Sequence, residues 1–201
     1  MKTYDPYRTL QITQGQGKME GIPSLNTSSL TNPFCQDMSA HEGTVCSKCY
    51  SSRLLHFRRA LSKRCDKNGI ILESSGEIWI PPINSLYFRF HSFGELINMG
   101  HLEHLHDICL DNRDTMFSLW TKRVDFIWYY LDEFAKPENL VLVYSEELIN
   151  PISPQIPLGF DHVYAVYDKT SPVEINCPEK CIDCLRCYQK ETKEIVRARL
   201  K

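Results

Sequence analysis

The sequence contains no long apolar run. No stretch approaches the roughly 20 consecutive apolar residues that a bilayer span requires, and the opening residues MKTYDPYRTLQITQGQGKM lack the apolar centre of a secretory signal peptide. We therefore expect a soluble, cytoplasmic protein with no membrane partner. Because the cytosol is reducing, clustered cysteines there are more often metal ligands or redox groups than structural disulfides.

An excess of charge of one sign is also missing. The 23 Lys and Arg residues are balanced by 25 Asp and Glu residues, and the formal net charge is -2. This balance provides no long-range attraction to nucleic acid or anionic lipid, so binding of either would require a local cluster of basic residues.

Internal repeats and low-complexity segments are absent as well, and 201 residues suffice for one well-buried core. We expect a single domain over 1–201. It divides into an irregular N-terminal segment (1–33), a β/α core (34–170) and a cysteine cluster with a C-terminal helix (171–201). The helix is predicted from the mixed-charge amphipathic pattern of KETKEIVRARLK.

Predicted strands alternate with predicted helices along the core. The segments EIWI, SLYFRF, TMFSLWTK, NLVLVYS and DHVYAVYD are rich in aromatic and β-branched residues and indicate strands. Helical spacing of apolar residues appears in SSRLLHFRRALSKRC, ELINMGHLEHLHDICLDN and VDFIWYYLDEFAK. The alternation favours parallel β/α units. The strands are too few for a closed eight-unit barrel of about 250 residues, so we expect an α/β fold in the form of a small, partly open barrel.

Nine cysteines are present, and four of them lie close together near the C-terminus: Cys177, Cys181, Cys184 and Cys187. Their spacing is C-x3-C-x2-C-x2-C. Structural zinc sites usually take two separated C-x2-C pairs, whereas a continuous run of closely spaced thiols can surround a 4Fe-4S cluster. The spacing favours an iron-sulfur cluster, with zinc or unliganded thiols as alternatives.

A second group of cysteines, Cys35, Cys46 and Cys49, lies in the loop FCQDMSAHEGTVCSKCY. Three thiols leave one iron of a 4Fe-4S cluster without a protein ligand, which is the open position that a catalytic cluster requires. The alternative is a structural zinc site completed by His41 or Cys65.

The order of these segments resembles that of a group of radical SAM-like proteins encoded by phages and their bacterial relatives, including the mycobacteriophage gene product eighty-eight family. The shared features are a cysteine loop closing on C-x2-C-Y, a basic helix, a strand ending in FRFHSFGEL, a strand ending in LWTKR and a late cluster beginning CP, over most of residues 25 to 188. The resemblance implies that Cys35, Cys46 and Cys49 hold a 4Fe-4S cluster whose fourth iron binds S-adenosylmethionine (SAM).

The same resemblance implies that Tyr50 lies beside the last ligand and that Gly94 and Glu95 contact the amino group of SAM. A carboxylate at the carboxyl end of a parallel strand points into the crevice where such folds bind ligands, and a glycine permits close approach. Alternatively, Glu95 complements the first turn of the following helix.

Three further side chains are candidates for the same pocket. Arg89 and His91 alternate along one predicted strand, so their side chains point to the same face. Lys122 ends the LWTKR strand, where a cation could hold a carboxylate or phosphate group.

The cysteine spacing and the resemblance together favour an iron-sulfur protein similar to radical SAM enzymes, with an external electron donor if it is redox-active. The resemblance to phage-encoded proteins implies a nucleotide or nucleic-acid substrate and, if the chain is phage-encoded, the bacterial host cytoplasm. A non-catalytic alternative is a zinc-stapled module whose basic helix binds nucleic acid or a protein partner. A third is an electron-transfer protein with fully ligated clusters and no SAM site. In the zinc-stapled alternative, the basic residues of the binding helix are Arg53, Arg58, Arg59, Lys63 and Arg64.

Overall fold

A mostly parallel sheet organises the chain. The structure is a computed structural model that describes residues 5–177 and 180–201. Seven strands lie side by side in chain order, and only the first pair is antiparallel. The strands are β1 (Ile12–Thr13), β2 (Ser24–Leu25), β3 (Tyr87–Phe90), β4 (Met116–Thr121), β5 (Leu140–Ile149), β6 (His162–Tyr167) and β7 (Glu194–Arg199). In the described residues β1 and β7 are the two edges, so the sheet is open.

Helices lie between the parallel strands, except between β5 and β6, which a loop joins. The helices are α1 (Pro33–Ser39), α2 (Tyr50–Phe57), α3 (Arg59–Glu73), α4 (Met99–Asp111), α5 (Val124–Glu133) and the single turn α6 (Cys181–Cys184). Local sequence sets where several begin. The Asn32 side chain accepts the Cys35 N–H at 3.1 Å, with Pro33 in the first turn of α1, and the Asn98 side chain accepts the His101 N–H at 2.8 Å to cap α4.

The hydrophobic core lies on one face of the sheet, under α3, α4 and α5. Phe90 and Phe117, from adjacent strands, stack with ring centroids 5.0 Å apart. Because side chains alternate across a strand, the residues between these core positions point to the other face. Arg89 and Trp120 are two of them, and they contact each other there, with the guanidinium carbon 3.6 Å from the ring centroid.

The predicted α/β class and open sheet are confirmed, but the predicted C-terminal helix is wrong. Half of that segment forms β7, paired with β6 from His162 opposite Glu194 to Tyr167 opposite Arg199. Val196 and Ala198 are buried at alternate positions, which fits a strand. The unpaired backbone groups along β6 supply non-local hydrogen bonds that outweigh a weak local helix preference.

Two other predicted elements differ from the structure. EIWI makes a single bridge, from Thr9 to Trp79, rather than a strand, because Pro81 and Pro82 follow and cannot donate backbone hydrogen bonds. The single basic helix is two helices, α2 and α3, separated at Arg58, whose φ of -105° and ψ of 75° are not helical.

The described part of the N-terminal segment contains short elements such as β1 and β2. Residues 1–4 of that segment, and Pro178 of the late CP motif, lie outside the described residues. Among the described residues, none of the helices has both the length and the apolar character needed to cross a membrane.

Candidate metal and ligand site

A cavity of about 1110 Å³ lies over the sheet face opposite the hydrophobic core. Arg89, Trp120, Tyr164 and Val196 project into it from four parallel strands. All seven candidate cysteines also line it. The fold therefore brings the two cysteine groups, far apart in sequence, to a common space.

The N-terminal cysteines reach this cavity through a loop that is attached to β5. The Val45 N–H donates to the Glu147 carbonyl at 2.7 Å, and the Ile149 N–H donates to the Gly43 carbonyl at 2.9 Å. These hydrogen bonds place Cys46, in a short 3₁₀ turn, and Cys49, which caps α2. The ten residues between Cys35 and Cys46 thus form an ordered segment that is hydrogen-bonded to β5.

The electrostatic environment links these three thiols. Burial raises the pKa of Cys35 well above its usual value, and the nearby charges of Glu95, Cys46 and Cys49 raise it further. Burial also raises the pKa of Cys46, while the cation of Lys122 opposes that rise. At Cys49, burial is outweighed by hydrogen bonds from Ser51 and Ser52, which lower the pKa. Cys49 is therefore the most readily ionised of the three.

The C-terminal cysteines surround a tight reversal of the chain. Cys181 and Cys184 begin and end α6, and Leu185 then adopts a left-handed φ of 53°, which turns Cys187 back toward the cavity. Burial raises the pKa of Cys187 to about 12, with the cation of Arg89 opposing the rise. Cys177 lies in the preceding loop, where its sulfur is 2.9 Å from Lys18 Nζ.

The donor set suits a sulfur-ligated metal. All nine cysteines are free, and the seven at the cavity are partly buried. Lys122 lies near Cys35 and Cys46, and Arg89 lies near Cys181 and Cys187; these cations favour the thiolate that a metal binds, against the effect of burial. In the described ranges, no three His, Cys, Asp or Glu side chains already stand in metal-coordinating positions. Iron or zinc binding would therefore draw the sulfur atoms of each group closer together.

The two residues considered as a fourth zinc ligand lie elsewhere. Cys65 is completely buried on α3, and His41 is exposed beside Asp37 at 3.8 Å. Neither is among the cavity-lining residues that the structure describes. Cys109 is likewise completely buried, within the hydrophobic core on α4.

Glu95 connects the carboxyl ends of β3 and β4. Its carboxylate accepts the Thr121 hydroxyl at 2.5 Å, the Leu96 N–H at 2.8 Å and the Lys122 N–H at 2.8 Å. Burial raises its pKa, and these hydrogen bonds oppose the rise. Because α4 begins only at Met99, the interpretation of Glu95 as a first-turn acid of that helix is wrong.

Gly94 is required by close packing within the chain. Its φ is +80°, and a Cβ atom would lie 2.2 Å from Thr27 Oγ1 and 2.5 Å from the Thr27 carbonyl oxygen. The close approach that its sequence position predicted is made to the loop after β2. Contact of Gly94 with a cofactor stays a prediction.

The remaining predicted cofactor residues also line the cavity. His91, with a left-handed φ of 60°, places Nδ1 3.2 Å from the Trp120 carbonyl. Lys122 Nζ donates to the Ser145 hydroxyl at 2.8 Å and to the Ser145 carbonyl at 3.0 Å. Tyr50 is 46% exposed at the cavity. These contacts position the side chains, and their roles toward a cofactor stay predictions.

Several lining residues were not predicted from the sequence. Trp120 and Tyr164 pack with ring centroids 4.4 Å apart on the cavity face. Alternation along TMFSLWTK could have revealed Trp120, because Phe117 and Leu119 belong to the core and Trp120 must then face the other way. Lys18 gave no such signal, since it follows an irregular loop.

No protein-family model, curated protein or solved structure matches this chain, so its function has to be inferred from the residues and geometry of the cavity.

Proposed function

We propose that this chain is a cytoplasmic iron-sulfur protein related in mechanism to radical SAM enzymes. Cys35, Cys46 and Cys49 would hold one 4Fe-4S cluster with an open iron. The C-terminal cysteines would hold an auxiliary cluster or complete the first. The observation that carries this proposal is the convergence of seven free cysteines from two distant segments on one cavity.

When bound, a three-thiolate cluster with SAM supplies reductive one-electron chemistry, for which an external electron donor is needed. The chain's own residues arrange the space around it. Glu95 holds the ends of β3 and β4 together, and Lys122 directs its ammonium group toward Ser145 on β5. Trp120 and Tyr164 form an aromatic surface against the sheet that excludes water from that part of the cavity.

The location of the cavity supports a ligand-binding role. Cys35, Glu95 and Lys122 follow or flank the carboxyl ends of parallel strands, which is where open α/β sheets bind ligands. Because the cysteines are free, a reducing compartment suits them, and we place the protein in the cytoplasm, that of a bacterial host if the chain is phage-encoded. A nucleotide or nucleic acid is the proposed substrate.

One observation favours a second function, a zinc-stapled binding module. The junction of α2 and α3 exposes Arg58, Arg59 and Lys63 together with Phe57, which is 87% exposed. Such a surface could contact nucleic-acid phosphates and bases. Zinc would then contribute folding free energy and no reactivity.

Anaerobic purification followed by metal and sulfide analysis distinguishes the two functions. The iron-sulfur proposal expects a brown protein with broad absorption at roughly 400 nm, iron and labile sulfide. Replacing Cys35, Cys46 and Cys49 together by Ser should remove part of the iron, whereas Cys65→Ala, as the control, should retain all of it. A colourless protein containing stoichiometric zinc would overturn the iron-sulfur proposal in favour of the binding module.

A further inference from the structure

The charges of this protein are strongly segregated. Eleven Lys and Arg side chains line the cavity, and Glu95 is the only Asp or Glu side chain among its described lining residues. The chain as a whole carries a formal charge of -2. The acidic residues are therefore concentrated elsewhere, and the cavity is a local cationic region that the net charge conceals.

The cysteines do not account for this positive charge. Lys180 and Arg186 have carboxylates near them, Glu20 at 3.9 Å and Glu194 at 3.7 Å, which leaves nine lining cations. Seven thiolates and Glu95 would supply at most eight negative charges, and any bound iron or zinc would add positive charge. With metal bound, the cavity keeps a positive excess that a ligand anion would neutralise.

Three arginines belong to the start and the second turn of α3. Arg58, Arg59 and Arg64 all line the cavity there. The helix has 15 residues, and no side chain caps its N-terminus. Its first N–H groups and the positive end of its dipole therefore add to the three guanidinium groups, and this combination suits a phosphate group.

Two buried polar atoms of residues that line the cavity lack a hydrogen-bond partner among the described residues. Arg89 Nε and Tyr188 Oη are buried and make no hydrogen bond with the described residues. Tyr188 is only 6% exposed, and both residues line the cavity. A buried polar group without a hydrogen bond costs free energy, so a ligand atom or a water molecule that reached either atom would stabilise this part of the wall.

The Tyr50 ring also lines the cavity, with Lys201 Nζ 5.0 Å from its centroid. Tyr50 lies directly after Cys49 and remains 46% exposed at the cavity. An exposed ring of this kind can stack on a planar base, as rings do in single-strand binding proteins. The volume of about 1110 Å³ exceeds what one cluster requires and leaves space for a nucleotide-sized ligand.

We infer that the cavity binds a phosphate ester attached to a planar base, with its phosphate groups at the start of α3. This inference deepens the proposed function by naming the chemistry of the substrate, and it rests on that function for the reaction but not for binding. The same chemistry occurs in a free nucleotide and in a single nucleic-acid strand.

Isothermal titration calorimetry on the full chain, with and without reconstituted clusters, tests the inference using inorganic pyrophosphate, ATP and an eight-nucleotide oligothymidine. We expect binding of ATP that is tighter than that of pyrophosphate and weakens as salt rises. An oligothymidine that binds tighter than ATP with a steeper salt dependence identifies the strand as the source. If ATP binds tighter than the oligothymidine, the ligand is the free nucleotide.

Matched variants localise the binding. Replacing Arg58, Arg59 and Arg64 together by Gln should weaken binding at least tenfold, and replacing all three by Lys should largely restore it. The control replaces Arg113, Lys169 and Lys193 by Gln, which removes the same charge at exposed positions outside the described cavity lining. Equal losses in the two Gln variants, or no binding of any probe to the parent, would overturn the inference.

Metal analysis of the same samples separates this inference from the proposed function. A protein that contains iron and sulfide yet binds none of the probes contradicts only the phosphate site. A protein that binds ATP through the start of α3 but takes up no iron contradicts only the iron-sulfur proposal. Circular dichroism of each variant checks that it is folded.

Discussion

The Nε2 atoms of His91 and His101 lie 3.4 Å apart, and the two rings meet edge to face at 83°. His91 is 5% exposed and His101 is completely buried. Burial lowers the pKa of His91 to about 4 and the pKa of His101 well below its usual value. Both imidazoles are therefore neutral at pH 7, and one N–H can be shared between them.

This pair should make the protein sensitive to mild acid. In the unfolded chain both histidines titrate near pH 6.5. The unfolded state therefore binds more protons as pH falls below that value, and stability is lost between about pH 6.5 and pH 4. For His91 alone the expected loss at pH 5 is about 2 kcal/mol relative to pH 7. Urea unfolding at the two pH values measures it.

Single variants assign the pH effect to the pair. His101→Asn should reduce the stability difference between pH 7 and pH 5, whereas His56→Gln, at an exposed position, should leave it unchanged. If His101→Asn shows the full pH dependence of the parent, the acid sensitivity arises elsewhere.

Gly94→Ala should destabilise the fold strongly. The new methyl group would lie 2.2 Å from Thr27 Oγ1 and 2.5 Å from a backbone carbonyl, at a φ of +80°. We expect a loss of at least about 2 kcal/mol in the free energy of unfolding. Gly17→Ala is the matched control, because Gly17 also has a positive φ, +59°, but has no atom within 4 Å of its Cβ position. It should cost about 1 kcal/mol, and equal losses would contradict the role assigned to Thr27.

Glu95→Gln should lower stability independently of any cofactor. The side-chain NH₂ group of Gln would replace one acceptor oxygen of the carboxylate. It would then face the backbone N–H of Lys122 or Leu96, and two donors cannot form a hydrogen bond with each other. Leaving a buried donor unsatisfied costs about 1–3 kcal/mol. Glu20→Gln, at the surface, is the control and should be neutral within about 0.5 kcal/mol.

Binding of SAM to the metal-loaded protein then separates the two roles of Glu95. A reduced affinity in Glu95→Gln, compared with Glu20→Gln, is expected if the carboxylate contacts the SAM amino group. A stability loss with unchanged affinity would remove Glu95 from the cofactor site and leave it as a structural connection between β3 and β4.

Arg89→Met should lower the reduction potential of a C-terminal cluster. The guanidinium group lies close enough to Cys181 and Cys187 to lower the pKa of both thiols against the effect of burial. The reduced cluster carries one more negative charge than the oxidised cluster, so removing this cation disfavours the reduced state. The reduction potential should fall by an amount on the order of tens of millivolts. A redox titration followed by electron paramagnetic resonance measures the potential, and Lys63→Met is the control. A shift of equal size in both variants would exclude a local effect of Arg89.

Much of the fold was predictable because its signals are local. The strands β3, β4, β5 and β6 have dense β-branched and aromatic residues, and α4 and α5 have apolar residues at helical spacing. Each pattern indicates which residues of an element are buried, and in the structure those residues form the hydrophobic core. The grouping of the cysteines was visible for a similar reason, since thiol spacing is a property of the local chain, and metal binding by them stays a prediction.

The sequence by itself determined the alternation of strands and helices, the reduced-thiol chemistry and the positions of the candidate ligands. The tertiary structure decided whether KETKEIVRARLK became a strand, which oxygen atoms of Glu95 were engaged and which cations faced the cysteines. Those outcomes depend on partners far away in sequence: the free edge of β6 for β7, the end of β4 for Glu95 and the closure of a cavity for the cations. Net charge is a sum over the whole sequence and periodicity is a local pattern, and neither contains information on contacts between distant residues. Only the folded arrangement therefore reveals a cationic cavity within a chain of slightly negative charge.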